Sequence, residues 1–439
     1  MSQAAMGLSS AGGMAELDAS TRRRAIVSSA VGNFVELYDF LIYGLFAAQI
    51  AANFFPAGDD TANLLKSFAI YGVGFFMRPI GAIVIGAYGD KHGRKNALVV
   101  TVGLMAAATA LTGLIPSYGS IGVAAPLLLL LCRLVQGFST GGEWGGSATF
   151  LVEFSPPGKR GLIGSVQQFS VGLALIAGTL TAAVLNGWLT KDQMVSWGWR
   201  IPFLIGFVLA PVGLYLRSRV SESPAFNRTV EKKQVAHNPF VEALTTHRLP
   251  VLAAFGLSAI GTVGNYTYNI YLPTMATQKL GIAGATAYTS ATVAAIVLTI
   301  FTPVMGWLSD KIGRKPILLV SSIAYGLLSY PAFVYLSGAP DGSRLMIVQS
   351  VSAFLLAMYA GPLCAILAEL FPTKVRFTAL SIGYGMSVTL FGGFAPFIAA
   401  YLIDRTGNPV SPAYFLIFAA IVSTVTLLIM KDRTNAPLD

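Results

Sequence analysis

Five charged residues stand inside long apolar stretches of this sequence, where a charge is energetically expensive and therefore informative. Glu36 and Asp39 are three residues apart in the first stretch, and Arg133 lies in a later one. Arg78 and Glu143 complete the set. A carboxyl group in such a place can take up and release a proton, and a guanidinium group can bind two oxygens of an anion at once. These residues are the first candidates for chemistry in the chain.

Position along the stretches sorts these residues by depth. If the stretches are helices that cross a membrane, Glu36, Asp39 and Arg133 fall near the middle of it. Glu143 follows Arg133 by ten residues, which is roughly 15 Å along a helix. We therefore predict a mid-depth set of Glu36, Asp39 and Arg133, with Arg78 and Glu143 in a second layer nearer the cytoplasm.

The mid-depth set predicts a switch that links a proton to an anion. A nearby guanidinium favours the ionised form of a carboxyl, so an anion that occupies the guanidinium makes the carboxyl hold a proton more readily. We predict Asp39 or Glu36 as the proton acceptor and Arg133 as its exchangeable partner, with Arg78 as a second anion ligand. The alternative is structural. These charges could pair only to fix helix packing, Arg78 could extend to the interface, and Glu143 could be a gating residue or a packed charge.

Polar and aromatic residues predict the opposite wall of a binding site. Four of the predicted lining residues cluster in one apolar stretch: Asn265, Tyr268, Asn269 and Tyr271. Further candidate hydrogen-bond donors lie in other stretches: Gln136, Gln167, Gln168, Tyr359 and Tyr384. Pro273 follows the cluster and can bend the helix by freeing a backbone carbonyl. Each residue alone is more often a helix–helix hydrogen bond than a ligand contact, but we predict that the cluster lines a cavity.

Composition indicates the scaffold that must position these groups. Of 439 residues, 54% are hydrophobic and 11% charged, and the mean hydropathy of +0.67 is too high for a soluble protein. The length allows about twelve spans of roughly 20 residues each. The predicted spans are 25–50, 62–88, 97–115, 122–151, 162–188, 200–219, 250–274, 286–308, 317–337, 345–370, 378–403 and 412–430. The predicted fold class is an all-α polytopic membrane protein.

The basic residues predict the orientation of these spans. With both termini in the cytoplasm, most of the 29 Lys and Arg residues lie in cytoplasmic segments, as the positive-inside rule requires. The basic residues on the outer side are few: Lys66, Lys191, Arg200, Lys279, Arg344 and Arg405. This bias explains the net charge of +10, so the charge does not indicate a nucleic-acid partner.

Two pairs of short motifs show that the chain is duplicated. Residues 86–95 and 306–315 both read G-x-x-x-D-K-x-G-R-K, 220 positions apart. The motif E-x-x-P-x-x-x-R begins at Glu153 and again at Glu369, 216 positions apart. Duplicated membrane bundles with a site between the halves are typical of secondary transporters.

The duplicated loops predict latches at the cytoplasmic face. Asp90 and Asp310 stand at equivalent helix ends, where a carboxylate can pair with arginines and with the positive N-terminus of a neighbouring helix. Arg94 and Arg314 occupy equivalent positions four residues later. We predict a gating role for these four residues and no contact with substrate. The predicted organisation is a cytoplasmic tail at 1–24, a six-helix bundle at 25–219, a cytoplasmic linker at 220–249, a second six-helix bundle at 250–430 and a tail at 431–439.

The motifs resemble those of a known family. The duplicated loop matches the signature of the major facilitator superfamily, and the resemblance covers residues 20–430. Four finer motifs resemble the metabolite:proton symporters, which include permeases for citrate, α-ketoglutarate, shikimate and proline or betaine: NFVELYDF at 33–40, FMRPIG at 76–81, RLVQGFSTGGE at 133–143 and WGWRIP at 197–202. Two others, FFMRPIGAIV at 75–84 and FGGFAP at 391–396, look most similar to citrate–proton symporters.

The resemblance implies a proton-coupled symporter that imports a small organic carboxylate, such as citrate or another di- or tricarboxylate, across a bacterial-type cytoplasmic membrane. Alternatives are symport of a zwitterionic osmolyte such as proline or betaine, and export of another small molecule. The osmolyte branch typically has a long C-terminal extension, so an end at Asp439 favours the carboxylate. The sequence contains no metal-binding motif, nucleotide loop or nucleophile–base set, so we expect a transporter without cofactor or metal, and not an enzyme. Because each bundle is complete within one chain, we expect a monomer.

Overall fold

The computed structural model describes residues 19–92, 94–141, 143–153, 155–156, 158–218 and 239–434. Within these ranges the side chains are described except at 19–25, 28, 82, 86–99, 143, 146, 150, 153, 210, 212–214, 216–218, 239, 373, 374 and 377. Every regular element in the described part of the chain is a helix. This confirms the predicted fold class.

Twelve apolar spans, α1 to α12, make up the molecule. In the first half these are α1 (Ala19–Leu45, continued by Ala47–Phe54), α2 (Asp60–His92), α3 (Arg94–Leu114), α4 (Ala124–Thr140, continued by Glu143–Glu153), α5 (Arg160–Trp188) and α6 (Ile201–Ser218). In the second half they are α7 (Arg248–Gly264, Asn265–Tyr271 and Leu272–Gln278), α8 (Gly284–Ile312), α9 (Arg314–Gly338), α10 (Gly342–Glu369), α11 (Thr373–Ser387, Val388–Gly393 and Ala395–Thr406) and α12 (Pro412–Ile429). Short helices at Tyr118–Ile121, Lys191–Ser196, Gly198–Arg200 and Pro239–Thr245 join them.

Length and hydropathy support the membrane assignment. Within the described ranges, eight helices are by themselves long and apolar enough to cross a membrane, and the two parts of α1, bent by 64°, give a ninth. Three shorter apolar helices fall in α3, α4 and α6: Val100–Leu114, Ala124–Thr140 and Gly198–Leu209. Together these helices give the predicted number of twelve spans. Of the predicted linker at 220–249, residues 220–238 lie outside the described part of the chain.

Two spans of the second half contain wide helical turns. Residues Asn265–Tyr271 in α7 and Val388–Gly393 in α11 form π-helix. A proline follows each turn closely, Pro273 in α7 and Pro396 in α11. Proline has no N–H to donate to the preceding turn, so the regular α-helical ladder is interrupted at these places. The sequence predicted a possible bend after the polar cluster, and the structure shows a widened turn through the cluster itself.

Glycines let the halves approach closely. A Cβ atom added at Gly161 of α5 would collide with the carbonyl oxygen of Gly306 in α8, and α5 against α8 is the most extensive helix contact between the halves. On the other side, a Cβ atom at Gly393 of α11 would lie 2.8 Å from the ring of Phe75 in α2. Small residues at such crossings permit backbone-to-backbone packing within a membrane. We call the end of the bundle that holds residues 90–92, 94–95 and 310–315 the motif end.

Candidate functional site

Close packing of α2 on α4 brings Arg78 and Arg133, the two arginines predicted inside the membrane, to the same ring of Phe40. Cβ atoms added at Gly137 and Gly81 would collide with the carbonyl oxygens of Gly74 and Phe138 respectively. Only glycine fits such positions without moving one helix away from the other. Gly137 therefore lies directly on α2.

Arg133 of α4 is completely buried among aromatic rings. Its guanidinium carbon lies 4.7 Å from the ring centre of Phe40, 4.3 Å from that of Tyr43 and 5.1 Å from that of Tyr71. Its Nη1 donates a hydrogen bond to Oε1 of Gln136 at 2.7 Å, whereas Nε and Nη2 have no hydrogen-bond partner. Cation–π contacts stabilise the charge but leave the in-plane donors of the guanidinium free for an anion.

Arg78 of α2 shares one of these rings. Its guanidinium carbon lies 4.6 Å from the ring centre of Phe40 and 4.2 Å from that of Phe75. Its Nε and Nη2 atoms are buried without a hydrogen-bond partner. Since the two guanidinium carbons lie 4.6 and 4.7 Å from the same ring centre, they are no more than 9.3 Å apart. The structure thus brings Arg78 and Arg133 into a single site.

Asp39 of α1 is buried where α3 and α6 pack on this helix. Its Oδ2 accepts a hydrogen bond from Thr109 Oγ1 at 2.9 Å, and its Oδ1 has no hydrogen-bond partner. A Cβ atom added at Gly206 of α6 would collide with Oδ1, so α6 packs directly on the carboxylate. Glu36, one helical turn earlier, is also buried. The predicted mid-depth carboxylates are therefore both enclosed by the first bundle.

A hydrogen-bonded chain, and not a direct ion pair, joins the predicted proton acceptor to the predicted switch arginine. In the described structure no salt bridge links Asp39 to Arg133. Gln136 receives the bond from Arg133 and donates through Nε2 to Thr109 Oγ1 at 2.8 Å. Thr109, which the sequence analysis did not single out, then donates to Asp39. Nothing in the sequence distinguishes Thr109 from threonines such as Thr112, which donates to the carbonyl oxygen of Ala108 in its own helix.

The aromatic side chains of the predicted cluster in α7 point in two directions, one towards the first half and one into the second half. Tyr271 packs on Phe68 of α2, with ring centres 5.8 Å apart. Tyr268 turns into the second half, where its ring meets those of Tyr325 and Phe333 at 6.1 and 5.7 Å. Asn269 donates to Asn265 within the same helix at 3.0 Å. These side chains do not follow α-helical spacing, because Asn265–Tyr271 form π-helix, which repeats differently.

Tyr266 is the residue of α7 that reaches the arginine site, and the sequence analysis did not name it. Its ring centre lies 6.2 Å from that of Tyr71 and 5.8 Å from that of Phe75, the rings that contact Arg133 and Arg78. Hydrogen bonds in a π-helix join residues five apart, so residues at that spacing come onto one face. Tyr266 and Tyr271 both face α2 for this reason.

Three of the four remaining predicted donors make contacts between helices. Tyr359 donates to the carbonyl oxygen of Leu257 in α7 at 2.5 Å. Gln167 donates to Asn33 of α1 at 3.0 Å. The ring of Tyr384 stacks on Trp144. For Gln168 the structure shows partial burial.

The predicted latch of the second half is assembled at the motif end. Asp310 accepts hydrogen bonds from the backbone N–H groups of Gly161, at 2.7 Å, and Leu162, at 2.9 Å, which are the first turn of α5. Arg314 donates to Asp310 at 3.0 Å and forms a two-pronged pair with Glu369 at 2.8 and 3.1 Å. Asp310 therefore joins the second half to the N-terminus of a first-half helix, where a negative charge is favoured.

One further ion pair connects the halves at this end. Arg160 of α5 lies 3.4 Å from Glu369 of α10. The corresponding side chains of the first half, Asp90 and Arg94, lie outside the described residues, as does that of Glu143. Their gating roles stay predictions.

Comparison with known proteins gives a consistent result. Residues 25–241 and 227–439 each match the family described as "Sugar (and other) transporter". The chain is 37% identical over 414 residues to a citrate–proton symporter of Klebsiella pneumoniae, covering 94% of this chain and 93% of the relative. It is 34% identical over 431 residues to a proline/betaine transporter of Escherichia coli K12, covering 96% of this chain and 86% of the relative.

Solved structures agree on the fold. The crystal structure of a D-xylose–proton symporter superimposes with a TM-score of 0.75 at 17% identity, covering 94% of this chain and 99% of that one. Because the identity is 17%, this similarity supports the twelve-helix fold and nothing further.

Proposed function

The chain belongs to the major facilitator superfamily and, within it, to the metabolite:proton symporters, and from this premise we propose that it imports a small organic di- or tricarboxylate together with protons. It is a multi-pass membrane transporter and not an enzyme. In this proposal Arg133 and Arg78 bind the carboxylates, Asp39 holds the coupled proton, and Glu36 assists it. Alternating access then exposes the site first to the outside and then to the cytoplasm.

The observation that supports an anionic substrate most strongly is the state of the two guanidinium groups. Both are surrounded by aromatic rings, and each has two buried nitrogens without a hydrogen-bond partner. An unpaired buried donor on a charged group is costly. A carboxylate bound to each guanidinium group, whose N–H donors form a fork, would satisfy these donors with charge-assisted hydrogen bonds. The site is therefore suited to an anion that enters from outside the protein.

The spacing favours a substrate with more than one carboxylate. Both guanidinium carbons lie within 5 Å of the Phe40 ring centre, so one small molecule can reach both. A monocarboxylate would leave one fork unsatisfied. Citrate, or another di- or tricarboxylate, could bridge the two forks across the edge of Phe40, with Tyr266 closing the site from the second half.

A zwitterionic osmolyte is the second candidate, since the chain is also similar to proline/betaine transporters. Rings of Phe40, Tyr43, Tyr71 and Phe75 could form a cage for a quaternary ammonium group. In the structure, however, these ring faces are in contact with Arg133 and Arg78. A second cation at the same faces would be repelled, which favours the carboxylate.

The latch at the motif end supplies the conformational part of the proposal. Asp310 and Arg160 join the halves through the first turn of α5 and through Glu369. Opening towards the cytoplasm requires these contacts to break. We propose that the four predicted gating residues Asp90, Arg94, Asp310 and Arg314, with Glu143, act in this step and do not touch substrate.

Uptake into proteoliposomes tests the assignment. Citrate, α-ketoglutarate, shikimate, proline and betaine would be compared under an inward proton gradient, with Arg133→Ala as the test variant and Arg405→Ala, an exposed arginine at the end of α11, as its control. We expect gradient-driven uptake of a di- or tricarboxylate in the control and its loss in Arg133→Ala. Uptake of betaine or proline but of no carboxylate would show that the second candidate is correct.

A further inference from the structure

Four buried polar side chains form an unbroken chain through the first bundle. Arg133 and Gln136 belong to α4, Thr109 to α3 and Asp39 to α1. The successive donor–acceptor distances are 2.7, 2.8 and 2.9 Å. All four side chains are at most 1% exposed, so water does not compete for these bonds. The chain therefore connects the substrate arginine to the proton-binding carboxylate.

The donors in this chain all point in one direction. Arginine has only donors, so Arg133 can bond to Gln136 only through the amide oxygen Oε1. The amide nitrogen of Gln136 must then face Thr109 and donate to its hydroxyl oxygen. The hydroxyl has a single hydrogen, which is left to donate to Asp39. The positive end of the chain thus fixes the direction of every bond up to the negative end.

The surroundings of Asp39 offer few other influences on its charge. Among the described residues, the charged or titratable groups that face it are Arg133 from α4 and Glu36 and Tyr38 from its own helix. The other packed helices contribute Thr109 from α3 and Gly206 from α6. Arg133 acts on the carboxylate through its charge, and the hydrogen-bonded chain is the contact that joins the two groups.

We infer that Thr109 and Gln136 are positioning residues that couple the protonation of Asp39 to the availability of Arg133. An ionised Asp39 draws the Thr109 hydroxyl towards it, and this orientation strengthens the bond that Thr109 accepts from Gln136 and the bond that Gln136 accepts from Arg133. Arg133 is then held by Gln136 and is less available to substrate.

A proton on Asp39 reverses this arrangement. The neutral carboxyl is a weaker acceptor, because the charge-assisted bond from Thr109 is lost. The Thr109 hydroxyl can then rotate towards the carbonyl of its own preceding helical turn, as Thr112 does. Gln136 loses its fixed acceptor, and the guanidinium of Arg133, which already has two unpaired nitrogens, can turn to a substrate carboxylate. By linkage, an anion on Arg133 favours the proton on Asp39 to the same degree.

This inference rests on the proposed function, and infrared difference spectroscopy can test the two separately. The carbonyl band of protonated Asp39 in the reconstituted full chain would be assigned by its loss in Asp39→Asn and titrated with pH, first without substrate and then with saturating citrate. The variants are Gln136→Leu and Thr109→Val, and Thr109→Ser is the control that retains the hydroxyl.

Without substrate, we expect the midpoint of the Asp39 band to move to higher pH by about half a unit or more in Thr109→Val, which loses the donor to the carboxylate. Gln136→Leu does not touch Asp39, yet the relay requires a shift in the same direction of about 0.2 to 0.5 units. Thr109→Ser should titrate as the wild type does. With citrate, the wild-type midpoint should rise further, and this added rise should be lost in Gln136→Leu and Thr109→Val.

Each outcome decides between the two proposals. A midpoint in Gln136→Leu that equals the wild-type value both with and without citrate would overturn the relay while leaving carboxylate transport intact. A shift in Gln136→Leu without substrate, together with no response of the wild type to citrate, would support the relay and contradict the proposed substrate. A wild-type protein with no Asp39-dependent band at any pH would overturn both.

Discussion

The indole ring of Trp144 lies flat on the phenol ring of Tyr384, with ring centres 3.4 Å apart and planes 7° from parallel. Trp144 belongs to α4 of the first half and Tyr384 to α11 of the second. The indole Nε1 has no hydrogen-bond partner, so the contact is one of ring surfaces alone. It joins the halves in addition to the Asp310 latch and should separate when the motif end opens.

The native Cys364 can report that opening. It is buried in α10, and a Cβ atom added at Gly164 of α5 would lie 3.3 Å from its Cβ. We expect Trp144→Ala to increase the rate of Cys364 alkylation two- to tenfold, the factor that corresponds to about 0.5 to 1.5 kcal/mol for an aromatic pair. Cys132, within α4, is the internal reference. Trp188→Ala, at an exposed tryptophan, is the matched control, and equal rates in the two variants would contradict the gating role.

Neutralising Asp310 should weaken the latch more strongly. Asp310→Asn removes the charge that faces the first turn of α5 and the partner of Arg314. Charge-assisted hydrogen bonds contribute about 1.5 to 3 kcal/mol each, so we expect Cys364 alkylation to rise by at least tenfold. Asp404→Asn changes an exposed carboxylate of α11 and should leave the rate unchanged. A slow, wild-type rate in Asp310→Asn would show that the latch does not hold the halves together.

Arg78 should distinguish substrates with several carboxylates from monocarboxylates. Since both forks share Phe40, Arg78→Ala should lower the affinity for a di- or tricarboxylate by about ten- to a hundredfold, as loss of a charged hydrogen-bond partner predicts. The affinity for a monocarboxylate should change much less. Binding would be measured by titration calorimetry, with Arg405→Ala as control. An equal loss for both kinds of ligand would place Arg78 outside the second carboxylate site.

The ring of Tyr266 should contribute to uptake by closing the substrate site. Tyr266→Phe retains the contacts with Tyr71 and Phe75, so we expect uptake within about twofold of wild type. Tyr266→Ala removes both contacts, each worth about 0.5 to 1.5 kcal/mol, and should reduce uptake about tenfold. Equal activity of the two variants would show that the ring does not close the site, whereas loss of uptake in Tyr266→Phe would point to its hydroxyl.

The sequence was sufficient for the architecture because hydropathy and helix length are properties of single segments. The duplicated loops predicted the latch, and the structure places Asp310 and Arg314 together with Glu369 and α5. The orientation of the α7 cluster could not be predicted. A wide turn at Asn265–Tyr271 changes which residues share a face, and it places Tyr266, not Tyr268, beside the arginine site.

The hydrogen-bonded link between Asp39 and Arg133 could not be predicted from the sequence either. The two residue types suggested a direct pair, whereas the structure inserts Gln136 and Thr109 between them. A threonine in an apolar helix usually bonds to its own backbone, and three helices must be assembled before Thr109 is seen to do otherwise. Contacts of this kind depend on tertiary packing and not on local pattern.

A vesicle experiment without an imposed proton gradient can show whether carboxylate uptake by this protein carries protons. An inward gradient of citrate would be applied to proteoliposomes that contain a trapped pH indicator, with wild type and Asp39→Asn in parallel. We expect citrate entry to acidify the lumen of vesicles with the wild type, and Asp39→Asn to exchange citrate across the membrane without acidification. Citrate entry with no proton movement in the wild type, or unchanged acidification in Asp39→Asn, would contradict this expectation.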